Sequence, residues 1–499
     1  GIPVGGDALK IVEGKMSMYR QIKKYAAVLL AALFFSCLGF ACGRSDENPA
    51  SVSDPTEASS GNSLSDQSSE SAPQIPDPVP EGRLAFDKRN YGVGVGMTLQ
   101  TSVSGENVGE ISYNSSAPDV ASVGADGKVT AIKEGIAEIT ASALSNGSNT
   151  EIEAVCRVTV NSGKYTSLSG EETLIKWTGR NFFLDGGVNC YNTASGFEVN
   201  FYGTELRAEI TAAGNKTPRI CVLIDGSSDP AEQVIGLSKT KETTFYTLAE
   251  NLSEGEHSVR VYKITEAYTT SLAFSEISTD GYFTDRPEDR SCKIEIYGDS
   301  ITVGHNNLRG TPEENDSDNM QNGCLTYAWL AAEEFGADIR CMARTGIGLY
   351  SAWGNPFVLE NNWKKTYLAE NDFLHSPSVN PEWSDDGYRP DAVLVNIGTN
   401  DVWFDWADGG ARYKKKMKKF CEELWTRYGR DTEIILLYGM MTAGNEASLR
   451  SVSDELSGNG KNIVCRKLPA SEANHPRVAD HRAAAAELLK VLRERLKAR

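Results

Sequence analysis

Apolar and polar positions follow three rhythms along the chain, and each rhythm predicts a different kind of structure. From residue 82 to about 162 the period is two: Val120 and Ser122 alternate with Ala121 and Val123, then come Asp126-Gly127, Val129, Ala131, Ile136 and Ile139. An Asp-Gly pair between alternating runs predicts a hairpin, because both residues accept positive φ at low cost. Ile152, Ala154, Cys156, Val158 and Val160 predict a last strand with one buried face. From residue 163 to about 288 the runs Gly196 to Phe201, Leu206 to Ile210, Ile220 to Asp225 and His257 to Lys263 are again strand-like. Gly, Asp and Asn turns separate them, with no helix of usable length. From Asp289 to the end, strand patterns alternate with amphipathic helices. The strands are Ile294 to Tyr297, Ile339 to Met342, Val393 to Ile397, Ile434 to Tyr438 and Ile463 to Arg466; the helices are Tyr327 to Phe335, Ala411 to Tyr428 and Val478 to Leu496. Such alternation predicts a parallel sheet covered on both faces.

The first 81 residues follow none of these rhythms. Residues 1–15 precede Met16 and Met18 and read as an upstream extension, outside any fold. Arg20, Lys23 and Lys24 lead into an apolar run from Ala26 to Ala41, short for a spanning helix and suited to a signal-peptide core. The run ends Leu38-Gly39-Phe40-Ala41-Cys42, which resembles a bacterial lipoprotein signal, with Cys42 as the lipidated residue. Its leucine stands one place early, and a cleaved signal without lipid or an uncleaved anchor are the other readings. Residues 43–81 are rich in Ser, Asp, Glu, Pro and Asn and predict a disordered tether, since so few apolar side chains cannot offset chain entropy.

A length of 499 residues exceeds one core, so about three domains are expected beside the tail. The formal charge of −18 argues against a nucleic-acid partner, which needs a basic face. Ten cysteines lie far apart, and neither CxxC nor HExxH occurs, so no metal or cofactor is expected. Cysteine spacing leaves disulfides open.

Candidate chemistry starts at Gly298-Asp299-Ser300, where a buried strand runs into an expected helix start. A serine there lies beside free N–H groups able to stabilise an oxyanion. Read alone, an ordinary turn with an Asp or Ser cap explains these three residues better. The order of later stretches changes that. Ala343-Arg344-Thr345-Gly346, then Ile397-Gly398-Thr399-Asn400-Asp401, then Asn474-His475-Pro476 each stand at a strand end or loop, where α/β sheets collect their active sites. Together they resemble the SGNH (GDSL) hydrolase superfamily over about the last two hundred residues. The resemblance implies Ser300 as nucleophile, His475 as base, and Ser300, Gly346 and Asn400 as oxyanion donors. Of the five histidines, His475 suits a general base best; His257 reads as structural, and His375 has no visible partner. His305 is a pocket-lining candidate or a surface histidine. The superfamily's acid stands three residues before its histidine, and here that place is Glu472; a backbone carbonyl is the alternative. Tyr350, Trp353 and Trp403 flank the blocks, as sugar-stacking candidates or core side chains.

Two further resemblances complete the domain reading. Asn114-Ser115-Ser116, Val120-Ala121, Val129-Thr130-Ala131 and Ile139-Thr140-Ala141 resemble the bacterial immunoglobulin-like group 2 domain. Glu254 to Val261, Thr265-Glu266 and Asp280-Gly281, running into the serine block, resemble carbohydrate esterase family 2. That family implies a jelly-roll-like β domain packed on an SGNH domain, and removal of acetyl groups from plant hemicelluloses. The expected order is a signal at 1–42, a tether at 43–81, an immunoglobulin-like β-sandwich at 82–162, a jelly-roll-like β-sandwich at 163–288, and a three-layer α/β SGNH hydrolase domain at 289–499. The activity implied is a lipid-anchored, extracytoplasmic, acetylxylan esterase-like deacetylase whose partner is acetylated polysaccharide. Its rivals are an SGNH esterase or lipase for another acyl ester, and a carbohydrate-binding surface lipoprotein with a dispensable esterase domain.

Overall fold

The computed structural model describes residues 80–161, 165–170, 173–311, 320–354, 356–384, 386–471 and 474–496. The expectations for residues 1–79, including Cys42, and for Glu472 lie outside the described residues.

Strands between Arg83 and Asn161 bury one shared set of side chains, among them Tyr91, Val129, Ile139, Cys156, Val158 and Val160. The hairpin forms between Ala121–Val123 and Lys128–Ala131, with Gly127 at φ +76° in its turn. Ile136 departs from expectation: it is 45% exposed, whereas Ile139 is buried. The two lie three residues apart on one strand, Gly135–Leu144, and so point to opposite faces.

Strands between Thr166 and Phe283 make two antiparallel sheets over one core containing Phe197, Phe201, Leu206, Val261, Phe274 and Ile277. The last region is a parallel five-stranded sheet in the spatial order β2-β1-β3-β4-β5. Its strands are β1 (Cys292–Gly298), β2 (Ala337–Ala343), β3 (Ala392–Asn396), β4 (Glu433–Tyr438) and β5 (Ile463–Lys467). Its helices include α1 (Tyr327–Phe335), α2 (Thr399–Phe404), α3 (Ala411–Tyr428), α4 (Glu446–Gly458) and α5 (Val478–Leu496). Helix α4 lacks a sequence forecast, because Ser448 and Ser453 sit on its buried face beside Leu449, Val452 and Leu456 and interrupt the apolar pattern. The expected helix after Ser300 is absent. Residues 301–308 form successive turns instead, since Gly304 at φ +72° and Asn306 at φ +55° leave the right-handed helical region.

The β region and the parallel sheet share one apolar core, in which Cys221, Tyr262 and Ile264 pack with Ile294, Ile296 and Trp329. Through that contact runs a buried ion pair. Arg180, from the β region, meets Glu295 in the middle of β1 at 2.9 Å, and both side chains have no exposure. Arg180 also donates to the carbonyls of Trp363 and Lys365 at 2.9 and 2.8 Å and to the Tyr297 hydroxyl at 2.6 Å. The second Glu295 oxygen accepts from the hydroxyls of Tyr297 and Tyr428. Removing one member of such a pair strands a buried charge, at about 3–5 kcal/mol.

A chain beginning at Asp289 should therefore be insoluble or lack a cooperative thermal transition, whereas one beginning at Gly163 should melt close to the full chain. Scanning calorimetry of the three chains checks this; a stable fragment from Asp289 onward would refute the coupling.

Candidate active site

The parallel register brings three strand ends level: Gly298 of β1 lies opposite Ala343 of β2 and opposite Asn396 of β3. Strand β1 has a neighbour on each side whose connections leave in opposite directions, and the crevice at such a switch point is where open α/β sheets bind ligands. Ser300 follows β1 by two residues, Gly346 follows β2 by three and Asn400 follows β3 by four, so all three reach this one edge.

Ser300 is 6% exposed, and its Oγ lies 3.0 Å from Nε2 of His475, on the segment between β5 and α5. That is hydrogen-bond reach for a nucleophile and its base. The histidine segment is held from both ends by Asp480 on the first turn of α5. Its Oδ2 accepts from the Arg477 N–H at 2.9 Å and from the Ser471 hydroxyl at 3.1 Å. Asn307, in the turns after Ser300, accepts the Val478 N–H at 3.1 Å and so ties α5 to the serine. The His305 N–H donates to the Ser300 carbonyl at 3.0 Å, and its ring stands edge to face with His475, centroids 4.8 Å apart.

Gly346 adopts φ +77°, a conformation that side chains disfavour. The loop after it is clamped by Asp401, whose carboxylate accepts the N–H groups of Leu349, Tyr350 and Ser351 at 2.7, 2.9 and 3.0 Å. A side chain at Gly348 would strike Ser351 O at 2.0 Å and Asp401 at 2.6 Å, so the clamp requires glycine there. Asn400, 6% exposed on the first turn of α2, donates one amide hydrogen to the Ile347 carbonyl at 2.8 Å. Its second amide hydrogen is available to a ligand. Ser300, His475, Gly346 and Asn400 thus gather at one edge, an arrangement able to support nucleophilic acyl transfer.

The aromatic candidates divide. Tyr350 is buried; its hydroxyl donates to the Asp405 carbonyl at 2.6 Å and Arg412 lies 4.4 Å from its ring centre, so it is a core side chain. Trp353 and Trp403 are 61% and 49% exposed, one seven residues after Gly346 and the other three after Asn400. His257 is structural, bonded to Asp225 and the Ser253 carbonyl at 2.7 Å each. His375 has the partner its sequence context hides, with Nδ1 2.9 Å from Asp372. The clamps by Asp401 and Asp480 escaped the sequence reading. Asp480, three residues after Arg477 at a helix start, carries the signal of an N-terminal capping residue, while Asp401 has no local signal. Among the described residues no group of His, Cys, Asp and Glu could hold a metal, and the eight cysteines are free thiols.

A parallel sheet of this order, with a serine and a histidine meeting at one edge, is the fold that the SGNH resemblance implies. Residues 177–287 match the family model described as carbohydrate esterase 2 N-terminal, and residues 86–153 match that for the bacterial Ig-like domain (group 2). The cellulase/esterase CelE of Acetivibrio thermocellus is 27% identical over 341 residues, 64% of this chain and 39% of that protein. An acetylxylan esterase / glucomannan deacetylase of Cellvibrio japonicus is 27% identical over 257 residues, 46% of this chain and 67% of that protein. The structure of a family two carbohydrate esterase from Clostridium thermocellum in complex with cellohexaose covers 65% of this chain and 99% of its own, at 25% identity and TM-score 0.57. The chain spans well under half the length of CelE. Two segments of the chain thus match known domains, carbohydrate esterase 2 N-terminal and group 2 bacterial Ig-like, and a solved structure similar to it is that of a family two carbohydrate esterase.

Burial also acts on Asp299, beside Ser300. It pushes the carboxyl up to about 7, against the opposing pull of the Ile301 N–H and the Thr399 hydroxyl. A raised folded-state pKa contributes stability below the unfolded value, lost as pH rises through about 7. Asp299→Asn should therefore raise the melting temperature more at pH 8 than at pH 5; an equal shift at both would show that Asp299 is charged throughout.

Proposed function

We propose that this chain is a serine-dependent carbohydrate O-acetyl esterase that removes acetyl groups from hemicellulose, acetylxylan or glucomannan. The 3.0 Å contact of Ser300 Oγ with His475 Nε2, beside Gly346 and Asn400, carries this reading. Two relatives bearing the name acetylxylan esterase / glucomannan deacetylase support the substrate class.

In this reading Ser300 Oγ attacks the acetyl carbonyl carbon while His475 Nε2 takes its proton. The carbonyl oxygen becomes an oxyanion held by the N–H groups of Ser300 and Gly346 and the amide of Asn400, each such donor contributing about 2.7–4 kcal/mol. Collapse breaks the bond to the sugar oxygen, which leaves with the proton from His475. Water, activated by the same histidine, then releases acetate and restores Ser300. Glu472 orients His475 through its other ring nitrogen. His305 lines the pocket, and Trp353 and Trp403 are platforms for sugar rings. Cys42 carries a lipid, holding the enzyme on the extracytoplasmic face of a membrane; among the described residues no helix is long and apolar enough to cross one.

Kinetics and mass spectrometry test these assignments. Ser300→Ala or His475→Ala should lower kcat by about a thousandfold or more, and Glu472→Ala by about ten- to a hundredfold. An unchanged kcat and melting temperature for Glu472→Ala would mean a Ser-His pair oriented by another group. Likewise, kcat/KM should fall from acetate to butyrate to octanoate esters, and acetylated xylan or glucomannan should release acetate. Rates rising with chain length would point to a lipase-like site. Trp353→Ala and Trp403→Ala should raise KM for the polysaccharide while leaving a small acetate ester nearly untouched. Mass spectrometry of the membrane-extracted protein should find acylated Cys42; a soluble product starting elsewhere would refute the anchor.

A further inference from the structure

Gly346 is held downstream by Asp401, and upstream it is held by a residue from outside the parallel sheet. Glu266, on a tight turn of the β region, is 2% exposed. Its Oε2 accepts the Thr345 N–H and its Oε1 the Thr345 hydroxyl, both at 2.8 Å. The Thr345 carbonyl in turn accepts from Nη1 of Arg344 at 2.7 Å. Both peptide planes flanking Thr345 are therefore fixed. In a trans peptide C=O and N–H point in opposite directions, so fixing the Thr345 carbonyl aims the Gly346 N–H. Arg344 is 1% exposed, is gripped by Glu370 at 2.7–3.0 Å, and lies 4.2 Å from the ring centre of Tyr268, two residues after Glu266.

Glu266 is itself rigid. Its carbonyl accepts the N–H groups of Thr269 and Thr270 at 3.3 and 3.1 Å. Its N–H donates to Gln321 Oε1 at 3.4 Å, and Gln321 Nε2 donates to the Val303 carbonyl at 3.0 Å, three residues beyond Ser300. One β-region residue thus reaches the oxyanion loop through Thr345 and the nucleophile's turn through Gln321. We infer that Glu266 is a positioning residue for the oxyanion hole, setting the Gly346 N–H against Ser300; this rests on the esterase reading above. The β region then has a part in turnover as well as in stability.

The test uses the full chain carrying Glu266→Ala, Glu266→Gln or Thr345→Val, assayed on a chromogenic acetate ester. Competent sites are counted by labelling Ser300 with an activated phosphonate ester. Per labelled site, Glu266→Ala should lose about ten- to a hundredfold in kcat with KM within about threefold, because a displaced oxyanion donor weakens the transition state and not the bound ester. Glu266→Gln retains one acceptor and should recover part of that loss, and Thr345→Val should lose less than Glu266→Ala. A merely structural role would lower the melting temperature or the labelled fraction and leave kcat per labelled site unchanged, which overturns the inference. Should Glu266→Ala fail to fold, Glu266→Gln decides: a kcat within about twofold of the parent overturns the inference, and a larger drop at constant KM upholds it. Parent turnover abolished by Ser300→Ala yet unmoved by every Glu266 and Thr345 variant overturns this inference alone. A parent chain without ester turnover overturns it together with the esterase reading.

Discussion

A glutamate stands in the middle of the strand that leads into Ser300, and the structure depends on what neutralises it. Strand β1 is buried on both faces, so Glu295 has no water to solvate its charge. Arg180 fills that need from the β region, its donors shared among the carboxylate, two backbone carbonyls and two tyrosine hydroxyls. An isolated α/β region would retain the carboxylate and lose the guanidinium. The β region is thus part of the solvent in which the parallel sheet exists, and the shared apolar core around Tyr262, Ile264 and Ile296 follows the same boundary.

The candidate active site repeats this logic on a smaller scale. Ser300, Gly346, Asn400 and His475 come from four segments that share only an edge of the sheet, and carboxylates hold them in place, Asp401 and Glu266 buried and Asp480 half-buried. Asp401 grips the loop after Gly346, Asp480 grips the segment bearing His475, and Glu266 grips the residue before Gly346. A carboxylate can accept several N–H groups at once and is strong as an acceptor where water is excluded. Three such clamps set the geometry of a site built on loops, where backbone freedom is otherwise greatest.

Much of this was legible in the chain itself. Period-two runs gave strands, 3.6-residue periods gave α1, α3 and α5 with the bounds observed, and the Asp126-Gly127 pair gave its hairpin. The Ser300, Gly346, Asn400 and His475 blocks, read through their family resemblance, pointed to one site, and the parallel register brings their strand ends to one edge. Local pattern failed where competing local terms were close. Helix α4 carries too many serines for its apolar stripe to stand out, and the turns after Ser300 contain a glycine and an asparagine whose positive φ stops a helix that the strand-to-turn pattern suggests.

Sequence by itself determined the periodic elements, the order of the chemical blocks and the acidic balance, because each is a property of neighbours along the chain. Tertiary structure alone decided which polar side chains face one another: Arg180 and Glu295 are 115 residues apart, Glu266 and Thr345 are 79 apart, and His375 meets the Tyr191 hydroxyl from 184 residues away. It also decided that Tyr350 lies inside while Trp353 and Trp403 face solvent. Long-range electrostatic pairing leaves no period to read, since it depends on folded distance and on the burial that makes each charge require a partner.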